Sequence, residues 1–379
     1  MAGHDPAHSH AETFPPTLGG GDWNIPIPNA SRSAFHVAPA LGGGFVYAPI
    51  PQGVAAFDER DGRLVWSTNF DTHDPVLADG FLITGLGPHA LNASTGEVVW
   101  DAGLNTTVYG EPVVSEDLLA IMLYPGQNGM VLSMSNGSAV FNWTGVANAD
   151  FSPAFYGSHL VTTTTDLRLV SYSLPEGTKD WESIARGKFD SPTVAGNVIY
   201  TTQADALIRA FNASTGELLW QVQMHDSTGL PATVYEDTVF AVDSTNTLWA
   251  VDAASGHVRW TTGLGENVVA LLGLTATDYG ILSLDGAGEF LRLSTHDGHV
   301  IERHRVGPFG GGPIAWDGTH AAFLQNTDPD TPHLIVYNMA TRTAQQEIGI
   351  TWTEAGIVGA AAVVLGAFAY WWPRRKKPS

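Results

Sequence analysis

Prolines recur along this chain at nearly constant spacing, and no other feature constrains its fold as strongly. Seven of them are separated by 36, 37, 41, 39, 39 and 82 residues, and the last gap equals two periods of 41. They are Pro39, Pro75, Pro112, Pro153, Pro192, Pro231 and Pro313. A period of about 40 residues is typical of a chain built from repeated structural units, and this spacing predicts eight of them.

A second motif runs in step with the prolines and ends in tryptophan. Its copies, such as AFNASTGELLW, end at Trp66, Trp100, Trp143, Trp181, Trp220 and Trp260, and two degenerate copies end at Glu302 and Gln346. Asn or Asp followed by Thr-Gly or Ser-Gly builds a tight turn, and a tryptophan offers a large apolar face with one N–H donor. We therefore expect these six tryptophans to be buried between neighbouring units and to dock them together.

Each repeat contains four short strand signals separated by turns, as in the segment from Ser191 to Gln223. Because proline removes a ladder donor, its recurrent position suits an innermost edge strand beside an axial channel. The pattern predicts an all-β fold, an eight-bladed β-propeller over residues 33–348, with inner strands beginning near the seven prolines and near Thr275. Residues 1–32 form a predicted flexible lead-in, in which Asp22 to Ile25 adds a strand to the final blade.

The repeat resembles the tryptophan-docking motif A-x-D-x-x-T-G-x-x-x-W of PQQ-like, quinoprotein-type β-propellers. Ala210 to Trp220 and Ala250 to Trp260 match it almost position for position, and the resemblance covers roughly residues 35–348. That family includes PQQ-dependent alcohol dehydrogenases and non-enzymatic members, notably the lipoprotein propeller of the bacterial outer-membrane barrel-assembly machinery. The resemblance implies the fold, and the chain is closest in style to the non-enzymatic propeller.

The C-terminal segment predicts a membrane anchor. Residues Ala355 to Trp372 carry no charge, and as a helix they would span about 27 Å, enough to cross a hydrocarbon core. The basic tail 373–379 follows, and its Arg and Lys residues predict a cytoplasmic C-terminus and an extracytoplasmic propeller. An exported propeller requires a signal peptide, but Met1 to Thr13 has no apolar run. Either the true start lies upstream, or the chain is tail-anchored with its propeller in the cytosol, and the basic tail favours the first.

Charge is distributed unevenly. Before Ala355 there are 13 basic and all 38 acidic residues, a net charge of −25. Such a surface repels nucleic-acid phosphates, so we predict no nucleic-acid partner. The chain contains no cysteine, which excludes disulfides and a lipid-modified cysteine anchor.

Acidic residues just ahead of the recurrent prolines form the best candidate for a metal site. Asp74, Glu111, Asp150 and Asp190, with Asp226 and Glu266, are placed at the predicted mouth of the axial channel. Converging carboxylates would bind a hard cation such as calcium, although capping of strand starts explains the same pattern. The vicinal disulfide of many PQQ dehydrogenases cannot form here, and the repeats are nearly minimal. We therefore predict no resident cofactor and no PQQ.

These features favour a membrane-anchored, extracytoplasmic scaffold that binds protein partners at the membrane surface. A degenerate quinoprotein-type oxidoreductase using the acidic funnel is one alternative. A glycan- or polymer-binding module using exposed aromatics such as Tyr109, Tyr124, Tyr156 and Phe309 is another. Nothing in the sequence specifies a reaction, so we predict no catalytic residue.

Overall fold

Eight four-stranded sheets make up the described part of the molecule. The computed structural model describes residues 22–27, 38–51, 53–69, 75–85, 87–104, 107–124, 128–145, 152–164, 166–184, 190–202, 204–265, 271, 273–307, 312–326 and 332–341. Blade 1 contains β2 (Ala40–Gly42), β3 (Phe45–Ile50), β4 (Gly53–Asp58) and β5 (Leu64–Ser67). Blade 2 contains β6 (Val76–Ala78), β7 (Phe81–Thr84), β8 (His89–Asn92) and β9 (Val98–Asp101). Blade 3 contains β10 (Thr107–Ser115), β11 (Leu118–Tyr124), β12 (Asn128–Ser133) and β13 (Ala139–Thr144).

The same order of strands continues through the rest of the chain. Blade 4 contains β14 (Ala154–Tyr156), β15 (His159–Thr163), β16 (Arg168–Ser173) and β17 (Thr178–Ile184). Blade 5 contains β18 (Thr193–Ala195), β19 (Val198–Thr202), β20 (Leu207–Asn212) and β21 (Leu218–Gln223). Blade 6 contains β22 (Thr233–Tyr235), β23 (Thr238–Val242), β24 (Thr247–Asp252) and β25 (Val258–Gly263). Blade 7 contains β26 (Thr275–Thr277), β27 (Gly280–Leu284), β28 (Glu289–Leu293) and β29 (Val300–Arg305).

Blade 8 joins the two ends of the described chain in one sheet. It contains β30 (Ala315–Trp316), β31 (His320–Asn326) and β32 (Pro332–Asn338), and its outer strand is β1 (Trp23–Pro26). Trp23 pairs with Val336 and Pro26 with His333 in an antiparallel register. The predicted eight-bladed propeller is confirmed, and its ring is closed by the strand predicted at residues 22–25.

The first strand of each blade lies nearest the axis, because the first strands of successive blades contact one another, as β2 does β6 and β30. Threonine hydroxyls link these strands across three junctions. Thr193 Oγ1 donates to Ala232 O over 2.7 Å, Thr233 Oγ1 to Leu274 O over 3.0 Å, and Thr275 Oγ1 to Ile314 O over 2.8 Å. The inner ring is therefore held by side-chain hydrogen bonds as well as by packing.

The hydrophobic core lies between blades rather than inside one of them. Ile208 of blade 5, for example, packs in one buried cluster with Val234 and Val239 of blade 6. Each blade therefore needs its neighbours to remove its apolar faces from water.

The inner strand of blade 3 differs from the prediction. β10 begins at Thr107 rather than near Pro112, and its register against β11 shifts between Tyr109 and Val113. The irregularity accommodates Pro112, because a proline cannot donate to a regular ladder.

No helix in the described ranges has both the length and the apolar character needed to span a membrane. The predicted span Ala355–Trp372 and the basic tail lie outside those ranges.

Candidate functional site

The docking tryptophans connect each blade to the following one. Their Nε1 atoms donate to main-chain carbonyls of the next blade: Trp66 to Ala93 over 3.0 Å, Trp100 to Met134 over 2.6 Å, Trp181 to Ala213 over 2.9 Å and Trp220 to Ala253 over 3.0 Å. Trp260 packs against Gly298 of blade 7. Trp100 is buried as expected, whereas the other four are half-buried.

In blade 3 the docking position belongs to Phe141 and not to Trp143. Phe141 stands four residues after the turn glycine Gly137, as Trp220 does after Gly216, and its ring lies against Gly177 of blade 4. Trp143 is buried over Gly129 of its own blade, and its Nε1 has no hydrogen-bond partner among the described residues. Trp143 therefore does not occupy the position over the next blade's turn glycine, although it belongs to a buried cluster that includes Phe155 and Leu160 of blade 4.

The two junctions of blade 8 also depart from the repeat. Between blades 7 and 8 the docking position is Glu302, whose carboxylate lies 3.6 Å from Arg292 Nε and 3.3 Å from His304 Nδ1. His304 Nε2 lies 3.0 Å from the Tyr337 hydroxyl of blade 8. Between blades 8 and 1, Trp23 of β1 is the docking residue and donates from Nε1 to Glu59 O over 2.7 Å.

A β-bulge recurs in the outer strands of blades 1 to 7, immediately before the docking residue. In blade 5, for instance, Ala210 pairs with Trp220 and Phe211 with Leu218, so Leu219 is the extra residue. Because a bulge turns two consecutive side chains toward solvent, aliphatic pairs are exposed on four outer strands. The pairs are Leu64 with Val65, Val98 with Val99, Leu218 with Leu219, and Val300 with Ile301.

These pairs are the most distinctive surface in the described ranges. Leu218 and Leu219 are each 49% exposed, and the other exposed side chains of β21 are uncharged glutamines, Gln221 and Gln223. The strand thus presents an uncharged strip with an apolar pair at one end, on a strongly acidic protein. The bulge also interrupts the free edge, which disfavours regular pairing with an added strand. A partner that binds here would therefore contact side chains of the outer strand and would not extend the sheet by a further strand.

The predicted acidic funnel is described only in part. Asp74, Asp150 and Glu266 lie outside the described residues. Asp190 is buried and its carboxylate accepts a 3.0 Å bond from Thr202 Oγ1, while the Glu111 backbone N–H donates to Ser152 Oγ over 2.9 Å. The cation site at the channel mouth stays a prediction. Of the aromatic side chains considered for glycan binding, only Tyr156 is described, and its hydroxyl bonds Asn197 of blade 5.

One buried group of potential metal ligands comes together within the described ranges, at the seam between blades 8 and 1. It consists of Glu59, Asp317 and His320. His320 Nδ1 contacts the Glu59 carboxylate and lies 3.6 Å from Asp317 Oδ2. Although burial opposes the charged imidazole, hydrogen bonds and attraction from Asp317 and Glu59 raise the pKa of His320 to about 9. Burial raises the pKa of Asp317, but hydrogen bonds from His320 and Thr319 outweigh it and lower that pKa.

The sequence of this propeller matches the model of a known protein family. The model described as outer membrane protein assembly factor BamB matches residues 51–185, 128–267 and 204–317, which together cover most of the ring. The chain belongs to this BamB-type PQQ-like repeat family. BamB from Yersinia pestis is 24% identical over 262 residues, a match that covers 61% of this chain and 57% of that protein.

Solved structures show that the BamB-type fold is shared by proteins of different function. BamB from Moraxella catarrhalis superposes with a TM-score of 0.66 at 16% identity, covering 83% of this chain and 98% of that structure. A quinohemoprotein alcohol dehydrogenase from Pseudomonas putida superposes with a TM-score of 0.69 at 12% identity, covering 89% and 80%. At sequence identities of 16% and 12%, these superpositions show that the fold is shared and carry no information about function.

Proposed function

We propose that the protein is a membrane-anchored, extracytoplasmic scaffold that binds a protein partner through the outer strands of its blades. The observation that carries the proposal is the set of exposed aliphatic pairs on those strands. Membership of a family described by an assembly factor supports it. The uncharged segment Ala355–Trp372 and the basic residues after it support the anchor and its orientation.

The aliphatic pairs would contribute part of the free energy of binding. Burying a fully exposed leucine or valine side chain contributes about 1.5–3 kcal/mol. Because these side chains are about half exposed, two pairs would contribute about 3–6 kcal/mol, which offsets part of the cost of association. Because the bulges interrupt the strand edges, the partner should contribute a side-chain surface with its own exposed aliphatic residues. The net charge of this chain favours a partner with basic residues around that surface.

We expect the double variant Leu218→Ser, Leu219→Ser to lose at least about tenfold in partner binding, since two buried leucines would be removed from the contact. The measurement is quantitative co-purification after crosslinking in native membranes. Gln221→Ser, on the same strand, is the matched control and should bind normally. Unchanged binding by the double variant, with the fold intact, would contradict the proposal.

We further propose that the protein holds no PQQ and acts on no alcohol. The quinone is anionic and requires cationic partners, whereas acidic residues stand ahead of the inner strands, as Glu111 and Asp190 do. Titration of PQQ in excess calcium should give no saturable change in tryptophan fluorescence and no dye reduction with short alcohols. Micromolar binding with turnover would favour the oxidoreductase instead.

A further inference from the structure

The outer strand of blade 3 carries an acceptor motif for N-linked glycans. In β13, residues Asn142, Trp143 and Thr144 form the pattern N-x-T. Successive side chains of a strand point to opposite faces, so Asn142 and Thr144 share one face and Trp143 lies on the other. Asn142 and Thr144 are indeed exposed, whereas Trp143 is buried. The two side chains that the motif requires therefore face solvent together.

Three further copies of the N-x-S/T pattern within the described ranges have a structural explanation. Asn92 and Asn212 lie in the turns before docking tryptophans, where each Oδ1 accepts two main-chain N–H groups over 2.9 to 3.1 Å. In the corresponding turn of blade 3, Asn136 Oδ1 accepts the Ser138 N–H over 3.0 Å. Because such turns favour asparagine for these hydrogen bonds, the pattern arises there from the fold.

Asn142 has no such role in the repeat. It is the residue immediately after the docking position, where blades 2, 5 and 6 have Asp101, Gln221 and Thr261. The blade therefore accepts several polar residues at this position and does not select asparagine. Asparagine is also depleted in strands generally. Neither the repeat nor the strand explains why an exposed asparagine stands two residues before an exposed threonine here.

We propose that Asn142 is the attachment site of an N-linked glycan. The inference rests on the extracytoplasmic position of the propeller in the proposed function, since this modification is typical of secreted chains. The donor is an oligosaccharide whose anomeric carbon is bonded to a lipid phosphate. Asn142 Nδ2 forms a C–N bond to that carbon and releases one proton, while the C–O bond to the phosphate breaks and the lipid phosphate leaves.

A glycan at Asn142 is compatible with the proposed partner surface. Ala139 and the half-buried Val140 stand at the bulge of β13, in place of the exposed aliphatic pair of blades 1, 2, 5 and 7. A bulky, hydrated glycan on this strand would leave those pairs free. It would also hinder pairing of the exposed β13 edge with a strand of another molecule.

Mass spectrometry of the full chain purified from native membranes tests the site. The proteolytic peptide that contains Asn142 should carry the added mass of an oligosaccharide. Asn142→Gln and Thr144→Ala should lose this mass completely, whereas Thr144→Ser, the matched control, keeps the hydroxyl and should retain it. Because both positions are exposed, the variants should fold normally.

Protease treatment of the same intact cells separates this inference from the proposed function. If the protease cleaves the propeller and Asn142 is unmodified, the glycan inference is overturned and the proposed function stands. A propeller that the protease does not reach contradicts the proposed location and overturns both. Added mass that persists in Thr144→Ala also overturns the inference, since that modification would not depend on the acceptor motif.

Discussion

Replacing Trp220 with alanine is expected to lower the free energy of unfolding by about 3 kcal/mol, the lower end of the range for large aromatic residues in cores. The lower end applies because Trp220 is half-buried. Its ring packs on Gly256 of blade 6 and its indole donates to Ala253 O over 3.0 Å, so the truncation removes both apolar contact and a hydrogen bond across a blade junction. Denaturant unfolding of the purified propeller measures the loss.

Trp220→Phe is the matched control, because it keeps an aromatic ring and removes the N–H donor. We expect it to cost about 1 kcal/mol for the lost hydrogen bond, plus a smaller packing term. An unchanged unfolding midpoint for Trp220→Ala would show that this residue does not dock the blades.

Replacing Gly256 with alanine is expected to cost about 2–5 kcal/mol for two separate reasons. The backbone has φ +74°, which a residue with a Cβ adopts at a cost of about 1–2 kcal/mol. An added Cβ would also lie 2.8 Å from Trp220 Cδ2, and such overpacking adds about 1–3 kcal/mol. The measurement is again the unfolding midpoint, with Gly263→Ala as control, since nothing lies within 4 Å of a Cβ there.

The two substitutions should not be additive. In the Trp220→Ala background the alanine at position 256 meets no indole ring, so its cost should fall to the backbone part alone. Additive costs in the double variant would mean that the glycine is required only for its backbone conformation.

The fold was predictable because every repeat contains residues that meet the same structural requirements of a blade. Each blade needs an inner edge strand that tolerates proline and a turn whose glycine lies under the preceding blade's docking residue. The spacing from this glycine to the docking residue is the more dependable signal. It identifies Phe141, four residues after Gly137, where alignment on tryptophan alone led to Trp143.

The candidate surfaces were less predictable because they depend on departures from the repeat. The aliphatic pairs are visible in the sequence, but only the bulge explains why Leu218 and Leu219 are both exposed. The buried polar group between blades 8 and 1 could not be predicted for a different reason. Glu59 and His320 are 261 positions apart, and only the closure of the ring by β1 brings blades 1 and 8 together.

Site-specific photo-crosslinking in native cells tests the central claim most directly. A crosslinking residue is placed at Leu219 or Val99 on bulged outer strands, and at Asp226 on the connection between blades 5 and 6 as control. The scaffold account predicts a discrete crosslinked protein from positions 219 and 99, and none from position 226. Absence of a product at both outer-strand positions, or equal yield at position 226, would contradict it.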